Sequence, residues 1–333
     1  MIEVDGRYGE GGGQILRSSL ALSVITGEKI RIRGIRAKRP KPGLKPQHLE
    51  AVKAVSKIAS GKLEGARIGS TELIFEPGYV RGGRYKFDIG TAGSVTLLLQ
   101  TVIPLLIFSN EKSILEVRGG TDVRWSPSAD YFGHVFLALL EKGNIGINFD
   151  MVRRGYYPKG CGLVRVEIEP SRARSMNFMG RGPMKKVWGI VHSNLREEIT
   201  HRLAESIEAR AKIEEERSNA ISQGIGITLM AEYEETVLGS CLLGERGIRA
   251  EDVGRKCSSE LEKEMRSGAT LDLHALDQLI PYIALFGGAA RARKLSGHAS
   301  TNLYVSEIFL GDIFDIEENL GWISVSSRGS RGI

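Results

Sequence analysis

Cysteine is scarce in this sequence. Its 333 residues include only Cys161, Cys241 and Cys257, which lie far apart along the chain. An odd number of cysteines at this spacing predicts neither a disulfide framework nor a thiolate metal centre. Unpaired cysteines are typical of a reducing compartment, so we expect a cytoplasmic protein.

Long apolar stretches are missing as well. The longest covers residues 95–108, contains Gln100 and Pro104, and is too short to cross a bilayer. The N-terminal stretch MIEVDGRYGEGGGQ is charged and lacks the apolar core of a signal peptide. We therefore expect neither a membrane-spanning segment nor a membrane partner.

Acidic residues are absent from residues 29–49, which contain eight Lys or Arg. The formal net charge of the whole chain is +6. A basic run is typical either of a solvated face or of a surface that binds nucleotide phosphates or an RNA backbone. The pattern alone leaves both interpretations open.

The order of the predicted elements repeats along the chain. Hydrophobic periodicity predicts the order β-α-β-α-β-β over residues 2–76 and again over residues 84–168. A third copy is complete only if a strand at 174–179 continues into residues 271–327, where one strand is expected at 291–296. The residues between them then form an insertion. In it we predict strands at 187–192, 225–233 and 236–243, a charged helix at 196–216 and a helix at 250–266.

These patterns predict an α/β (α+β) fold. Residues 1–183 and 269–333 form a large domain of three βαβαββ repeats, and residues 184–268 form a smaller inserted α/β domain. The second helix of each repeat begins near KPGLKPQH (41–48), WSPSADY (125–131) or SGHASTN (296–302). Helix N-termini expose unpaired N–H groups that suit phosphate. The three N-termini either converge on one site or face separate ways.

A glycine-rich turn, residues 9–14, follows the first strand and opens the first helix. Such a turn allows an anion to approach the backbone closely, although it matches neither the P-loop nor the dinucleotide fingerprint. A flexible strand-to-helix turn is the simpler interpretation. Glu10 within the turn is a candidate ligand for a divalent cation, and Arg17 is a candidate donor to an anion.

His298 is the candidate nucleophile. It lies at a predicted helix N-terminus, which disfavours the imidazolium, so the ring keeps a lone pair for covalent catalysis. A capping or buried histidine is the alternative. We expect His201 on the protein surface, and His134 and His192 in the core. Gln100, within an apolar helix, is expected to bond either to a neighbouring element or to a ligand.

Seven segments in order along nearly the whole chain resemble the RNA 3′-terminal phosphate cyclases. They are DGRYGEGGGQILR, IRAKRPKPGLKPQHLEAVKA, GTAGSVTLLLQTVIPLL, RGGTDVRWSPSADY, RRGYYPKGCG, DQLIPYIAL and GHASTN. The resemblance implies a large domain of three βαβαββ units with a small inserted domain, the same organisation that the repeats predict.

The resemblance also implies a reaction. His298 attacks the α-phosphorus of ATP and carries AMP, which then passes to an RNA 3′-phosphate. The neighbouring 2′-OH closes a 2′,3′-cyclic ester and AMP leaves. The family needs Mg²⁺ or Mn²⁺, and Glu10 matches its metal contact. Arg17, Arg39 and Gln47 match residues around the phosphates, and the nucleotide contacts match Gln100, Pro127, Tyr131, His274, Ala275, Leu276, Asp277 and Gln278. Tyr131 is expected to stack on adenine.

Two positions depart from the family pattern. The family turn usually ends in three glycines, whereas this chain has Gly160-Cys161-Gly162. We expect the turn to be kept, with a negative φ at Cys161. His274 stands where the family often has tyrosine, and its imidazole ring can still stack on adenine.

Two other functions compete with the cyclase interpretation. A eukaryotic branch of the family has the fold without the activity and acts in ribosome assembly, but that branch lacks the histidine that this chain keeps at position 298. Enolpyruvyl transferases have a similar repeat fold, but they need no nucleophilic histidine. Covalent labelling of the protein by α-labelled ATP distinguishes these three functions, because only the cyclase carries AMP.

Overall fold

The computed structural model describes residues 1–208 and 211–330. The first repeat consists of β1 (Ile2–Asp5), α1 (Gln14–Thr26), β2 (Ile30–Arg33), α2 (Pro46–Ile58), β3 (Lys62–Glu64) and β4 (Glu72–Glu76). The second consists of β5 (Gly83–Asp88), α3 (Val95–Leu106), β6 (Ser113–Gly119), α4 (Ala129–Tyr131), a π-helical turn (Phe132–Phe136), α5 (Leu137–Lys142), β7 (Ile147–Arg153) and β8 (Gly162–Ile168).

The third repeat begins with β9 (Met176–Phe178) and is then interrupted. The intervening elements are β10 (Met184–Ser193), α6 (Glu197–Glu205), β11 (Lys212–Arg217), β12 (Ile225–Tyr233), β13 (Val237–Leu243) and α7 (Ala250–Arg266). The repeat continues with α8 (Leu273–Phe286), β14 (Gly288–Ala292), α9 (Gly297–Leu310), β15 (Phe314–Asn319) and β16 (Trp322–Ser327).

The three repeats share one sheet topology. Their strand orders are β1-β2-β4-β3, β5-β6-β8-β7 and β9-β14-β16-β15. In each sheet the first pair is parallel and the other two pairs are antiparallel. A helix crossover joins the parallel pair, as parallel strands require. The predicted fold of three βαβαββ units with an inserted α/β unit is confirmed.

Alternation along the strands gives each sheet one buried face. In β2, Ile30 and Ile32 are fully buried, whereas Arg31 and Arg33 point outwards. Helices α1, α2 and α3 pack on one another and share a large hydrophobic core with α8 and α9. The first turns of α1, α2 and α9 contain Arg17, Gln47 and His298.

The inserted unit has its own sheet, with the order β11-β10-β12-β13, and α6 and α7 pack on it. Val191, Leu229 and Leu261 belong to a hydrophobic cluster separate from the large core. The domain boundaries at residues 184 and 268 stay a prediction. None of the helices in the described ranges is long and apolar enough to cross a bilayer.

Two predicted elements were wrong. The charged segment 196–216 is not one helix, because α6 ends at Glu205 and β11 pairs in parallel with β10. Residues 209 and 210 lie outside the described residues. Pairing with a sheet edge outweighs the helix propensity of the Glu- and Lys-rich segment. The strand expected at 291–296 is instead Gly288–Ala292, since Gly287 and Gly288, both with positive φ, lead directly from the end of α8 into the strand.

The histidines were predicted with mixed success. His201 is exposed beside Glu205 and Glu215, and His192 is fully buried, as expected. The prediction of a buried His134 was wrong. The π-helical turn rotates this residue to the surface, where its ring meets Trp188 edge-on with the centroids 5.0 Å apart.

Asp272 joins three elements, and its removal is expected to destabilise the fold. The buried carboxylate accepts hydrogen bonds from the Tyr131 hydroxyl at 2.6 Å, the Gly239 N–H at 2.9 Å, and the first turn of α8. Asp272→Ala leaves buried donors unpaired, so we expect a loss of about 3 kcal/mol in the free energy of unfolding. Denaturant titration measures it. Exposed Asp150→Ala is the control, and a loss at position 272 no larger than the control's contradicts the assignment.

Candidate active site

His298 is the second residue of α9, the second helix of the third repeat. Ser296 caps this helix, because its Oγ accepts a hydrogen bond from the Ala299 N–H at 3.0 Å. The Ser296 hydroxyl also donates to Asp277 of α8. These two bonds fix the helix N-terminus, while the His298 side chain stays 45% exposed. The ring is therefore both held and accessible.

The glycine-rich turn brings Glu10 to this histidine. Glu10 Oε2 lies 3.9 Å from His298 Nε2 and 3.1 Å from Arg39 Nη2. A Cβ at position 297 would lie 2.6 Å from Glu10 Oε1, so a larger residue there would displace the Glu10 carboxylate. Gly9, with φ of +56°, shapes the turn. An imidazole, a carboxylate and a guanidinium therefore lie together at one surface site, called the active-site mouth below.

Arg17 is a buried cation one turn into α1. Its Nη2 donates to Gln14 Oε1 at 2.6 Å, and its Nε has no hydrogen-bond partner in the described part of the chain. Burial lowers the pKa of Arg17 to about 10, which leaves it charged at neutral pH. A buried positive charge with an unused donor is suited to binding an anion.

Sequence reasoning missed His48, in the first turn of α2. Its Nδ1 accepts a bond from the Lys45 N–H at 3.4 Å, so its Nε2 carries the proton. A Cβ at Gly13 would lie 2.4 Å from His48 Nε2 and 3.1 Å from Arg17 Nη1. His48 therefore sits directly beside Arg17. One feature of the sequence could have indicated it. His48 is an uncharged ring at the start of a predicted helix, at the end of the basic run.

His48 predicts a pH dependence of stability. Burial, with help from Arg17, Arg36 and Lys45, lowers the pKa of His48 to about 3. In the unfolded chain His48 is protonated below about pH 6.5, whereas in the folded chain it stays neutral down to about pH 3. The free energy of unfolding therefore falls as the pH drops from 6.5 towards 3. We expect wild type to lose about 2 kcal/mol more than His48→Gln between pH 7 and pH 5. Denaturant unfolding of both proteins at pH 7 and pH 5 measures this difference. Equal losses in wild type and His48→Gln would contradict the prediction.

His298 is held mostly neutral. Burial lowers its pKa, Glu10 opposes the shift, and Arg17, His274 and Arg39 add to it. The direction agrees with that expected from the helix N-terminus, although burial is the largest cause. A lone pair on the ring is therefore available for nucleophilic attack near neutral pH.

The segment 274–278 divides between the core and the site. Ala275 and Leu276 are buried in the core, whereas His274 is exposed. Gln278 Nε2 donates to the His274 carbonyl at 2.8 Å, and Gln100 Nε2 donates to Gln278 Oε1 at 2.6 Å. The amide of Gln100 is thus used to join α3 to α8, beside the exposed imidazole.

Asp277 lies between His274 and the start of the helix that carries His298. Its carboxylate accepts from Ser296, the cap of the His298 helix, and lies 3.9 Å from His274 Nδ1. Burial raises its pKa to about 7. Asn302 of α9, which sequence reasoning also missed, donates to the Asp277 carbonyl at 2.5 Å. Asp277 therefore couples α8 to the start of α9.

Tyr131 is in the interior. Its ring is fully buried and its hydroxyl is bound to Asp272, so it is closed to an adenine base in this conformation. The expectation that Tyr131 stacks on adenine needs correction, because the short α4 directs the ring inwards. There it meets the edge of the His274 ring, with the two ring centroids 6.3 Å apart. Tyr131 supports the loop that carries His274.

Pro127 and Gln47 lie around the start of α3. The Pro127 carbonyl accepts from Thr96 Oγ1 at 3.0 Å, and Gln47 Oε1 accepts from the Ser94 N–H at 3.3 Å. Both are partly buried. They join the second helices of repeats one and two to the first helix of repeat two.

The three second-helix N-termini do not all converge. The start of α2 meets Arg17 through His48, and the start of α9 meets Glu10 through His298. The start of α4 turns to the inserted sheet instead, where Ser128 Oγ and Thr228 Oγ1 lie 2.8 Å apart in a hydrogen bond.

The expected negative φ at Cys161 was wrong. Gly160 and Cys161 have φ of +65° and +59°. The Gly160 N–H bonds back to the Tyr156 carbonyl, and the Cys161 carbonyl accepts from Arg153 Nε at 2.9 Å. These bonds hold the left-handed turn, so cysteine adopts a conformation natural to glycine.

The basic run divides into two parts. In the strand, Lys29, Arg31 and Arg33 pair with acidic side chains of β1 and β4. In the following loop, Lys38 and Lys41 are exposed, and neither has an acidic partner among the described residues. The loop, with Arg39 at the mouth, is therefore the part available to a polyanion.

Comparisons with known proteins identify the family of this chain. A family model described as RNA 3′-terminal phosphate cyclase matches residues 8–316, a span that includes Glu10, Arg17 and His298. The chain belongs to this family. Family membership confirms the resemblance of the seven sequence segments.

Curated relatives give the same result over almost their whole length. A protein of Methanosarcina mazei named RNA 3′-terminal phosphate cyclase is 44% identical, with 98% of this chain and 99% of the relative aligned. Proteins of the same name from Archaeoglobus fulgidus and Nitrosospira multiformis are 43% and 42% identical. The alignments cover 96% of this chain and 98% of the first, and 98% of this chain and 97% of the second.

Proposed function

We propose that this chain is an RNA 3′-terminal phosphate cyclase that uses ATP and carries AMP on His298. The observation that supports this most directly is the mouth itself. A mostly neutral imidazole lies 3.9 Å from the Glu10 carboxylate, with Arg39 bound to that carboxylate and the buried cation Arg17 nearby. Nucleotidyl transfer needs a neutral nucleophile and stabilised phosphate charge.

In the first step, a ring nitrogen of His298 attacks the α-phosphorus of ATP. The new N–P bond forms as the P–O bond to pyrophosphate breaks. Arg17 and Arg39 are positioned to stabilise negative charge on the phosphates. The unpaired N–H groups at the start of α9 add a favourable field.

Glu10 fits the role of a magnesium or manganese contact. One carboxylate, together with substrate phosphates and water, is the usual way in which proteins hold Mg²⁺. Glu10 is half exposed and has an oxygen facing the mouth. A bound divalent ion supplies charge neutralisation to the phosphates. Arg39 holds the carboxylate in place.

In the second step, AMP passes from His298 to the RNA 3′-phosphate. A phosphomonoester dianion is a poor electrophile, and joining it to AMP gives it a good leaving group. In the third step, the neighbouring 2′-OH attacks the activated phosphorus, the 2′,3′-cyclic ester forms, and AMP leaves. His298 is already free at this point, because its bond to phosphorus breaks in the second step.

The nucleotide side of the site is assigned to α8 and α3. The exposed ring of His274 is suited to contact with adenine, in place of the buried Tyr131. Asp277, Gln278 and Gln100 offer carboxylate and amide groups for the ribose and base. Ala275 and Leu276 act through packing, and Pro127 and Gln47 support the start of α3.

RNA is proposed to approach over the basic loop. In Lys38→Ser/Lys41→Ser, the slope of log affinity against log salt for single-stranded RNA should decrease by about 0.7 for each lost phosphate contact. The matched control is Lys86→Ser, an exposed lysine of β5. Fluorescence anisotropy at several salt concentrations measures the slopes. A slope unchanged from wild type places the RNA path elsewhere.

Product analysis tests the whole proposal. An RNA labelled in its 3′-phosphate is incubated with the protein, ATP and Mg²⁺, and the label is then treated with phosphatase. We expect the label to become phosphatase-resistant only with ATP, because the phosphate is closed into a cyclic ester. A control RNA that ends in 2′-deoxyribose 3′-phosphate cannot cyclise, so any phosphatase-resistant label on it is the adenylated end, which chromatography separates from the cyclic ester. A label that stays phosphatase-sensitive in the ribose substrate contradicts the proposal and favours a non-enzymatic RNA-binding role.

A further inference from the structure

A second polar cluster lies where the second repeat meets the inserted sheet, and it shares no residue with the site above. Asp122 follows β6, Asp130 is in α4, and His192 is on β10. All three side chains are buried, His192 completely. Burial of two carboxylates and an imidazole costs free energy unless each is compensated.

The three side chains converge on a common point. His192 Nε2 lies 3.4 Å from Asp122 Oδ1 and 3.7 Å from Asp130 Oδ2. The three candidate ligand atoms all lie within 4.8 Å of one another. Ligands of a tetrahedral zinc ion with bonds near 2.0–2.1 Å are separated by about 3.3 Å, so a small adjustment admits the ion.

Two of these atoms lack a hydrogen-bond partner. His192 Nε2 and Asp122 Oδ1 face each other without the alignment of an N–H···O bond, and no described residue bonds to either atom. The other ring nitrogen, Nδ1, is bound to the Tyr156 hydroxyl at 2.8 Å. Unpaired buried polar atoms are rare in folded proteins, and a bound ion is one explanation for them.

Charge in the cluster is also unbalanced. Arg154 is 2% exposed and bonds to Asp130 through both Nη atoms at 2.9 Å, to Asp122 at 3.3 Å, and to Glu216 at 2.6 Å. One guanidinium thus faces three carboxylates, two of them buried. A metal ion at the two unpaired atoms would compensate this negative charge.

We propose that Asp122, Asp130 and His192 bind a divalent metal ion, with Zn²⁺ preferred. One imidazole and two carboxylates are an accepted zinc donor set, and water completes the shell. The surrounding bonds have the form of supporting contacts: Tyr156 orients the imidazole, and Arg154 orients the carboxylates. The ion joins the second repeat to the inserted unit. Its ligands come from three separate segments, so no sequence spacing reveals it.

Metal binding by the full chain tests the site. Protein stripped with a chelator is titrated with Zn²⁺ against a chromophoric competitor. We expect one tight ion per chain, an affinity at least tenfold weaker in Asp122→Asn and His192→Gln, and about tenfold weaker in Tyr156→Phe. Glu10→Gln is the matched control and should keep the ion. Thermal unfolding with and without Zn²⁺ should show stabilisation in wild type.

Substitution with Co²⁺ gives a readout that needs no variant. We expect the wild-type chain to show the strong visible absorption of a four-coordinate ion. Weak absorption, typical of hydrated octahedral Co²⁺, would overturn the site. So would Zn²⁺ affinity equal in wild type and Asp122→Asn, or loss of the ion in Glu10→Gln, which would move it to the active-site mouth.

Discussion

His298→Ala is expected to abolish self-adenylylation, with at least a thousandfold loss of label from α-labelled ATP and Mg²⁺. The variant removes the one protein atom proposed to form a bond to phosphorus, and loss of a covalent nucleophile has effects of this size. Because the side chain is half exposed, the free energy of unfolding should change by no more than about 0.5 kcal/mol. The loss of label would then reflect chemistry and not unfolding.

Substitution of a histidine outside the site provides the control. His201→Ala on α6 changes an exposed imidazole beside Glu205 and Glu215, and we expect it to label as wild type does. The linkage should be acid-labile and base-stable, as a phosphoramidate is. Normal labelling in His298→Ala would show that another residue is the nucleophile.

Arg17→Gln is expected to reduce the rate of adenylylation by about 10²–10³-fold, the loss typical when one preorganised donor to developing charge is removed. Arg17 is buried, charged and has an unused Nε donor in the described part of the chain, which fits the proposed contact with a phosphate. Glutamine keeps much of the side-chain length and polarity but not the charge.

The pH profile distinguishes this role from a structural one. Arg17 helps to lower the pKa of His298, so its removal raises that pKa. Only the neutral ring attacks, so the acid limb of the rate should lie below pH 6.5 in wild type and move upwards in Arg17→Gln. Arg31→Gln, which alters a strand arginine paired with Glu3 and Glu72, should leave rate and limb unchanged. An unmoved limb in Arg17→Gln would remove the electrostatic assignment.

The repeat architecture was predictable because hydrophobic periodicity is local. The alternation of Ile30, Arg31, Ile32 and Arg33 marks a strand with one buried face, and the same sequence of periods recurs in each unit. The strand β11 was not predictable in this way. Its segment KIEEER is rich in helix-forming residues, and only pairing with β10 makes it a strand.

The site was predictable where a motif fixes the local backbone. Glu10 in a glycine turn and His298 at a helix start were both expected to face a ligand, and they lie 3.9 Å apart. Their proximity joins residues 288 positions apart, which no local pattern encodes. His48 was missed because its burial beside Arg17 depends on the packing of α2 against α1.

Two expectations about particular side chains failed for the same reason. Tyr131 was expected to stack on a base, but a buried bond to Asp272 turns it inwards. Cys161 was expected to avoid positive φ, but bonds from Arg153 and within the turn hold it there. In both positions, contacts with other residues override the preference of the residue type.

The central claim is that AMP is transferred to His298, and peptide mapping tests it most directly. The protein is incubated with ATP and Mg²⁺, digested under conditions that keep a phosphoramidate, and analysed by tandem mass spectrometry. We expect AMP on the peptide that contains SGHASTN, at the imidazole of His298. AMP on a lysine or on any other peptide would contradict the account.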